Sequence, residues 1–335
     1  MVEEQRAAQN VPICTPLAMN TTVITTAQET RTSGLYTRFE AYQGLWISVL
    51  AAGAATCLRV SKDRERIAGQ GKQCRSREGQ AMNGLVSRLI YPGASRSVDV
   101  GQVERTLQPG EELVWQETTR DERIGLIIRP PAGKQRWIVF FYGNGMTVAG
   151  TWAVRRWLGS TGYGVVCVEY AGFGVSSGSP SEYGCYRSAD AAITYLQRLA
   201  SITLDQVTLI GWSLGSAVAI DLASRRDVRA QVLLSPLTSL LACTIDLARI
   251  GKTSFAIGPF DALSRARSVD CPTLIIGGSE DALTRPWMAN ELTKAMGGHA
   301  RLVSLPGVGH NDMLRSGERL WNVVKDFLNS PEETR

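Results

Sequence analysis

Gly211-Trp212-Ser213-Leu214-Gly215 is the stretch whose residue types best suit nucleophilic chemistry. It follows the apolar run Val207-Thr208-Leu209-Ile210 and opens the small-residue stretch Ser216-Ala217-Val218-Ala219-Ile220, so the pattern predicts a strand, a sharp turn and a helix. A serine in such a Gly-x-Ser-x-Gly turn takes a strained backbone conformation, and the glycines let neighbouring backbone approach without a Cβ clash. The hydroxyl then stands proud of the sheet, beside a helix N-terminus that favours developing negative charge. The pattern occurs a second time, at Gly174-Val175-Ser176-Ser177-Gly178. There Gly172 and Gly174 intervene between the preceding strand, around 165–170, and the serines, and Gly178-Ser179-Pro180 follows in place of a helix. Ser176 and Ser177 are therefore read as structural loop residues.

A serine hydroxyl is a poor nucleophile at neutral pH. It needs a base to take its proton, and the base needs an acid to orient it. The chain holds two histidines, His299 and His310. His310 lies in Gly307-Val308-Gly309-His310-Asn311-Asp312, after the last predicted strand, with glycines that let the loop fold the ring over the sheet edge. His299 follows Gly297-Gly298 at a predicted helix end, where a histidine commonly caps carbonyls, and is read as structural. The acid is expected after an earlier strand. Asp281, in Ile275-Ile276-Gly277-Gly278-Ser279-Glu280-Asp281, meets that requirement, with Glu280 as the competitor. Asp312 is too close in sequence to His310 to face its ring and is read as a helix N-terminal charge. The chain order is then Ser213, Asp281, His310.

The developing oxyanion needs two backbone N–H donors. One is expected from Leu214, directly after the serine. The other is expected from the loop Tyr142-Gly143-Asn144-Gly145-Met146, with Asn144 nominated and Gly145 as the alternative. No metal or organic cofactor is implied, and two histidines nearly exclude a multi-histidine metal centre.

These groups must be carried by something rigid. Apolar, β-branched runs recur at 112–116, 123–128, 137–141, 164–168, 207–210, 231–234, 273–276 and 302–305. Most are nearly continuous in apolar character, as strands buried on both faces are. Helical stretches separate them, at about 146–160, 182–200, 214–226, 285–298 and 313–329. The alternation predicts a mostly parallel sheet with helices on both faces, its first two strands forming an antiparallel edge. Right-handed crossovers place the strand C-termini along one edge, where ligands bind. A longer insertion between Pro236 and Pro272, helical over about 237–250, is either a short cap over the site or an ordinary surface helix pair.

The chain has 335 residues, 44% hydrophobic and 20% charged, ordinary for a soluble globular protein. Its net charge of +5 is concentrated between Arg59 and Arg77, where seven basic residues face two acidic ones. The catalytic domain, expected over 85–331, has no basic excess, so nucleic-acid binding is not expected. Residues 1–42 are polar and threonine-rich and are expected to be disordered. The uncharged run at 44–58 is short for a membrane span, which needs about 20 residues. It reads as an uncleaved anchor, an amphipathic or buried helix, or a signal segment. With the basic residues that follow, the segment 44–77 is a candidate membrane contact, and basic flanks favour a cytosolic catalytic domain. Seven cysteines with no C-x-x-C pair suggest buried thiols such as Cys167 and Cys271, not a disulfide framework.

Taken together, Tyr142-Gly143-Asn144-Gly145, the block Tyr170-Ala171-Gly172-Phe173-Gly174-Val175-Ser176-Ser177-Gly178, the Ser213 turn, Ser235-Pro236-Leu237-Thr238-Ser239, Asp281 and Gly309-His310-Asn311-Asp312 resemble the serine α/β-hydrolase superfamily. They are most similar to its small esterases and thioesterases, a subgroup that includes acyl-protein depalmitoylases. The resemblance covers about 85–330 and implies an α/β-hydrolase fold and an acyl-enzyme mechanism on a small or lipid-like acyl ester. It departs from the family pattern at Tyr142, where His usually precedes the glycine, at Gly277-Gly278, where His-Gly is usual, and at Ala171, which stands for Arg. The rival expectations are an acyltransferase or amidase on the same residues, and a membrane-tethered binding protein on an inactive scaffold.

Overall fold

Five short runs buried at every position make the middle of the sheet: β3 (Trp137–Phe141), β4 (Gly164–Val168), β5 (Val207–Trp212), β6 (Ala230–Leu234) and β7 (Thr273–Gly278). Strands with no solvent face must be covered on both sides, and this dictates a layered α/β architecture. The computed structural model describes residues 90–133, 135–200, 202–247 and 259–334, all within the unit Ile47–Arg335. The expectations for 1–42, for the apolar run at 44–58 and for the basic stretch that follows lie outside the described residues.

The edges are β1 (Glu112–Thr119) and β2 (Glu122–Arg129) on one side and β8 (Ala300–Leu305) on the other. The strand order is β1-β2-β4-β3-β5-β6-β7-β8. β1, β2 and β4 pair antiparallel, and every other pair is parallel. This is the α/β-hydrolase fold. The register aligns Phe141, Gly211, Leu233, Ile275 and Leu302 in one row across five strands. The residues just beyond that row therefore emerge along one edge.

The covering helices fall into two groups. On one face, α2 (Trp152–Ser160) and α8 (Glu318–Asn329) meet through the stacked rings of Trp157 and Trp321, 4.4 Å apart. α8 buries Leu320, Trp321, Val324, Phe327 and Leu328, one stripe of a 3.6-residue period. On the other face, α3 (Glu182–Ala200), α4 (Leu214–Ala223), α6 (Ala262–Ala266) and α7 (Pro286–Met296) pack side by side. All ten residues of α4 are buried, which explains why its sequence is small and apolar throughout. A short α1 (Val100–Glu104) precedes the sheet and is closed by a reciprocal Asp99–Gln102 capping box. Near it, Arg155 of α2 is fully buried and pairs with Glu111, with Thr106 and Thr151 taking its other donors. An ion pair removed from water stays folded only when its remaining donors are satisfied in this way.

Most element boundaries follow the sequence pattern, and the differences have local causes. The helix expected from 146 begins as a 3₁₀ turn, Val148–Thr151, before α2. The helix expected from 313 starts only at Glu318, because Met313–Arg315 is a separate 3₁₀ turn. Asp312 therefore sits at the N-terminus of that 3₁₀ turn and not of α8. It precedes that short turn and makes no side-chain cap, its carboxylate lying beside Gly309 instead. In the insertion after β6, α5 (Leu240–Leu247) is followed at a distance by α6, and residues 248–258 lie outside the described region. Leu240 and Leu263 tie the two flanks down through amides donated to Pro259 O and Thr238 O.

Candidate active site

Ser213 has φ 54° and ψ −119°, a left-handed conformation that a side chain adopts only under constraint. The constraint is packing. A Cβ on Gly215 would fall on the Phe141 carbonyl oxygen, and one on Gly211 on the Gly215 carbonyl. Both glycines thus allow α4 to start hard against β3 and β5, and the serine takes the strain. Its amide donates to Leu234 O of β6 at 2.9 Å, and its carbonyl accepts from the Ser216 amide and hydroxyl. Gly215→Ala is expected to lower stability by about 1–3 kcal/mol through overpacking. A urea unfolding midpoint checks this; an unchanged midpoint would mean the helix can shift.

The loop after β8 brings His310 over this turn. Its Nε2 lies 2.9 Å from Ser213 Oγ and its Nδ1 2.8 Å from Asp281 Oδ2. All three side chains are buried. Glu280, the competitor for the acid, is exposed. Asp281 is fixed from several sides: Oδ1 accepts the amides of Leu283 (3.0 Å) and Thr284 (2.8 Å), and Oδ2 accepts the Thr284 hydroxyl (2.9 Å). Burial alone would raise its pKa. The charge and hydrogen bond of His310 and the Thr284 amide outweigh burial and hold the carboxyl below its ordinary value. The sequence thus brings Ser213, Asp281 and His310 together in space.

Two further contributors escaped the sequence reading. Thr284 Oγ1 also lies 3.1 Å from His310 Nδ1 and 3.0 Å from Ser235 O, so one hydroxyl links the acid, the ring and the end of β6. An Asp followed three residues later by Thr, just past a strand, is a turn signal that would have marked it. Trp212, the variable residue of the glycine–serine turn, stacks on the imidazole at 5.6 Å and 27°. No sequence pattern announces that contact.

The loop after β3 faces the serine from the other side. Gly143 is packed so closely that an added Cβ would lie 3.0 Å from the Trp212 ring and 3.2 Å from Ser213 Cβ. The 143–144 peptide, which carries the Asn144 N–H, is therefore beside the nucleophile. Among the described residues no hydrogen bond occupies the amide of Asn144 or of Leu214. Asn144 itself is anchored by its side chain, which donates to Ile90 O at 2.6 Å, and by its carbonyl, which accepts from Gly93 at 2.8 Å.

The residues set aside as structural have structural partners. Ser176 Oγ accepts the Gly125 amide at 3.0 Å, and Ser177 Oγ accepts the Arg123 amide at 2.8 Å, so both clip a loop to β2. Cys167 and Cys271 are buried, and burial pushes each thiol up to about 12. His299 ends a 3₁₀ turn after α7, and its Nδ1 is buried without a hydrogen-bond partner. Among the described residues no group of three or more His, Cys, Asp or Glu is placed to hold a metal ion.

The sequence and the fold match known proteins in the same way. Residues 138–267 match the model of the alpha/beta hydrolase family, and residues 258–335 match that of a TAP-like protein. The chain belongs to the α/β-hydrolase superfamily. A Mycobacterium tuberculosis protein described as uncharacterized is 33% identical over 176 residues, 50% of this chain and 60% of that one. Human alpha/beta hydrolase domain-containing protein 17C is 28% identical over 204 residues, 60% of this chain and 61% of that one. The aligned region thus spans about 60% of the length of these curated relatives. Among solved structures, the Pyrococcus furiosus esterase Pf2001 superposes with a TM-score of 0.57 at 17% identity, covering 70% of this chain and 96% of that one. An alpha-beta hydrolase from Vibrio vulnificus superposes with a TM-score of 0.59 at 18% identity, covering 78% and 98%. At such identities these superpositions speak for the superfamily's fold.

Proposed function

We propose that this α/β-hydrolase cleaves carboxylic ester or thioester bonds through an acyl-enzyme formed on Ser213. The observation that carries the reading is the unbroken series of contacts from Ser213 Oγ through His310 to Asp281 Oδ2, at 2.9 and 2.8 Å. His310 Nε2 takes the hydroxyl proton as Oγ attacks the acyl carbon. Asp281 keeps the Nδ1 proton facing itself, so Nε2 is free to accept, and it stabilises the imidazolium that forms. The amides of Leu214 and Asn144 receive the oxyanion, assisted by the N-terminus of α4. His310 then returns its proton to the departing alcohol or thiol. Water repeats the sequence on the acyl-enzyme and releases the acid. The name of the Pyrococcus furiosus neighbour, an esterase, agrees with this class of substrate.

A fluorophosphonate probe tests the proposal directly. It is expected to label the full chain once, and peptide mass spectrometry is expected to place the adduct on Ser213. Absence of labelling, or an adduct on Ser176 or Ser177, would sink the reading. Product analysis of the same ester with added alcohol separates a hydrolase, which yields the acid, from an acyltransferase, which yields a new ester.

A further inference from the structure

Tyr142 and Glu169 form a buried pair beside the site that the proposed chemistry does not use. Glu169 is fully buried, one residue beyond β4, and Tyr142 is fully buried, one residue beyond β3. Glu169 Oε1 accepts from two groups at once, the Tyr142 hydroxyl and the Val148 amide, the latter at 3.0 Å. Those two donors bracket the stretch 143–147, which contains the Asn144 amide beside Ser213. Tyr142 is held again from its backbone side, where the Tyr170 hydroxyl donates to its carbonyl at 2.9 Å. Glu169 Oε2 makes no hydrogen bond and lies against Gly174, a position at which a Cβ would collide with the carboxylate. A buried carboxyl with one oxygen unpartnered is costly to keep. Burial pushes it up to about 7, against the Tyr142 hydroxyl and the Val148 amide, whose hydrogen bonds favour its charged form.

The bracketed stretch is intrinsically soft. It has glycine at 143 and 145, and its only internal backbone bond among those described runs from the Met146 amide to Gly143 O at 3.1 Å. Oxyanion stabilisation requires donors fixed in direction before the charge appears. The bonds from Asn144 to Ile90 and Gly93 hold the middle of the loop, and a single acceptor that grips both ends adds to that fixity, a carboxylate more strongly than a neutral oxygen.

We infer that Glu169 is a positioning residue for the oxyanion site, acting through Tyr142 and Val148 to hold the 143–144 peptide facing the acyl oxygen. The inference rests on the serine-hydrolase reading above. The pair also accounts for Tyr142 itself, one of the places where this chain departs from the family pattern.

The test uses the full chain carrying Glu169→Gln, Tyr142→Phe or both, assayed on a short p-nitrophenyl ester and with a trifluoromethyl ketone, which binds as a tetrahedral adduct. Glu169→Gln keeps the shape and removes the charge; Tyr142→Phe removes one donor. Misplacing a catalytic group by about an ångström costs up to about 10²-fold. Each single variant is therefore expected to lose about 10- to 100-fold in kcat, with KM within about threefold. The ketone's Ki is expected to rise in parallel, and the double variant to be little worse than the weaker single one. The inference is overturned if folded single variants keep kcat within twofold, if the loss falls on KM alone, or if the ketone's Ki does not move. Should Glu169→Gln fail to fold, judged by its melting curve, Tyr142→Phe decides by the same criteria. Ser213→Ala in the same assay keeps the two readings apart. If it retains activity, the serine mechanism fails; if it is dead while Tyr142→Phe is fully active, only the role of Glu169 fails.

Discussion

Ser213→Ala is expected to lower kcat on a p-nitrophenyl ester by about 10⁴- to 10⁶-fold, with little change in substrate affinity. The size follows from how the three side chains work. In the proposed mechanism the Ser213 hydroxyl supplies the attacking oxygen from the Nε2 side of His310, whereas the Thr284 hydroxyl lies on the Nδ1 side and cannot take its place. Whatever rate survives is expected to come from binding and from the amides proposed to hold the oxyanion, those of Leu214 and Asn144. For the same reason the losses do not add. Ser213→Ala combined with His310→Ala is expected to be about as slow as either alone, because each removes the same proton transfer. The variant is also expected to keep its fold, since the strained backbone at this position is imposed by the packing of Gly211 and Gly215 and not by the hydroxyl. Steady-state rates, with circular dichroism to confirm folding, check both points. Retention of more than a tenth of the wild-type rate would place the nucleophile elsewhere.

The sequence made the architecture legible because the strands declare themselves. Runs such as Trp137–Phe141 and Gly164–Val168 are apolar at every position, and both occupy the predicted residues. Ser213, Asp281 and His310 were legible for a related reason: each follows such a run by a short glycine-containing turn, and a parallel sheet gathers all such turns at one edge. What stayed hidden depends on side-chain direction. Glu169 and Tyr142 reach each other because β3 and β4 are neighbours in the sheet, and pairing order is not written in local periodicity. Trp212 reads as a filler residue between a glycine and a serine until its ring is seen against His310. The 3₁₀ turns at Val148–Thr151 and Met313–Arg315 were merged into the following helices because their apolar spacing continues into them.

Asp281→Asn is expected to lower kcat by about 10⁴-fold at neutral pH while leaving the fold intact. The structure supplies the reason. Oδ1 accepts two backbone amides, from Leu283 and Thr284, and no NH₂ group can replace an acceptor there. The asparagine must therefore keep its oxygen in that position and turn its NH₂ toward Thr284 Oγ1 and His310 Nδ1. A donor facing Nδ1 forces that nitrogen to accept, which moves the ring proton to Nε2. An imidazole protonated at Nε2 cannot take the proton from Ser213. The lost rate is therefore expected to come from the tautomer and the missing negative charge, not from a displaced ring, because the Trp212 stacking on the imidazole does not depend on Asp281. Asp281→Ala is expected to be less damaging than its severity suggests, because it forces no tautomer and leaves Thr284 Oγ1 near Nδ1. Comparing the two variants over a pH series decides the matter. An asparagine variant more active than the alanine variant at neutral pH would show that Asp281 does not set the proton's position.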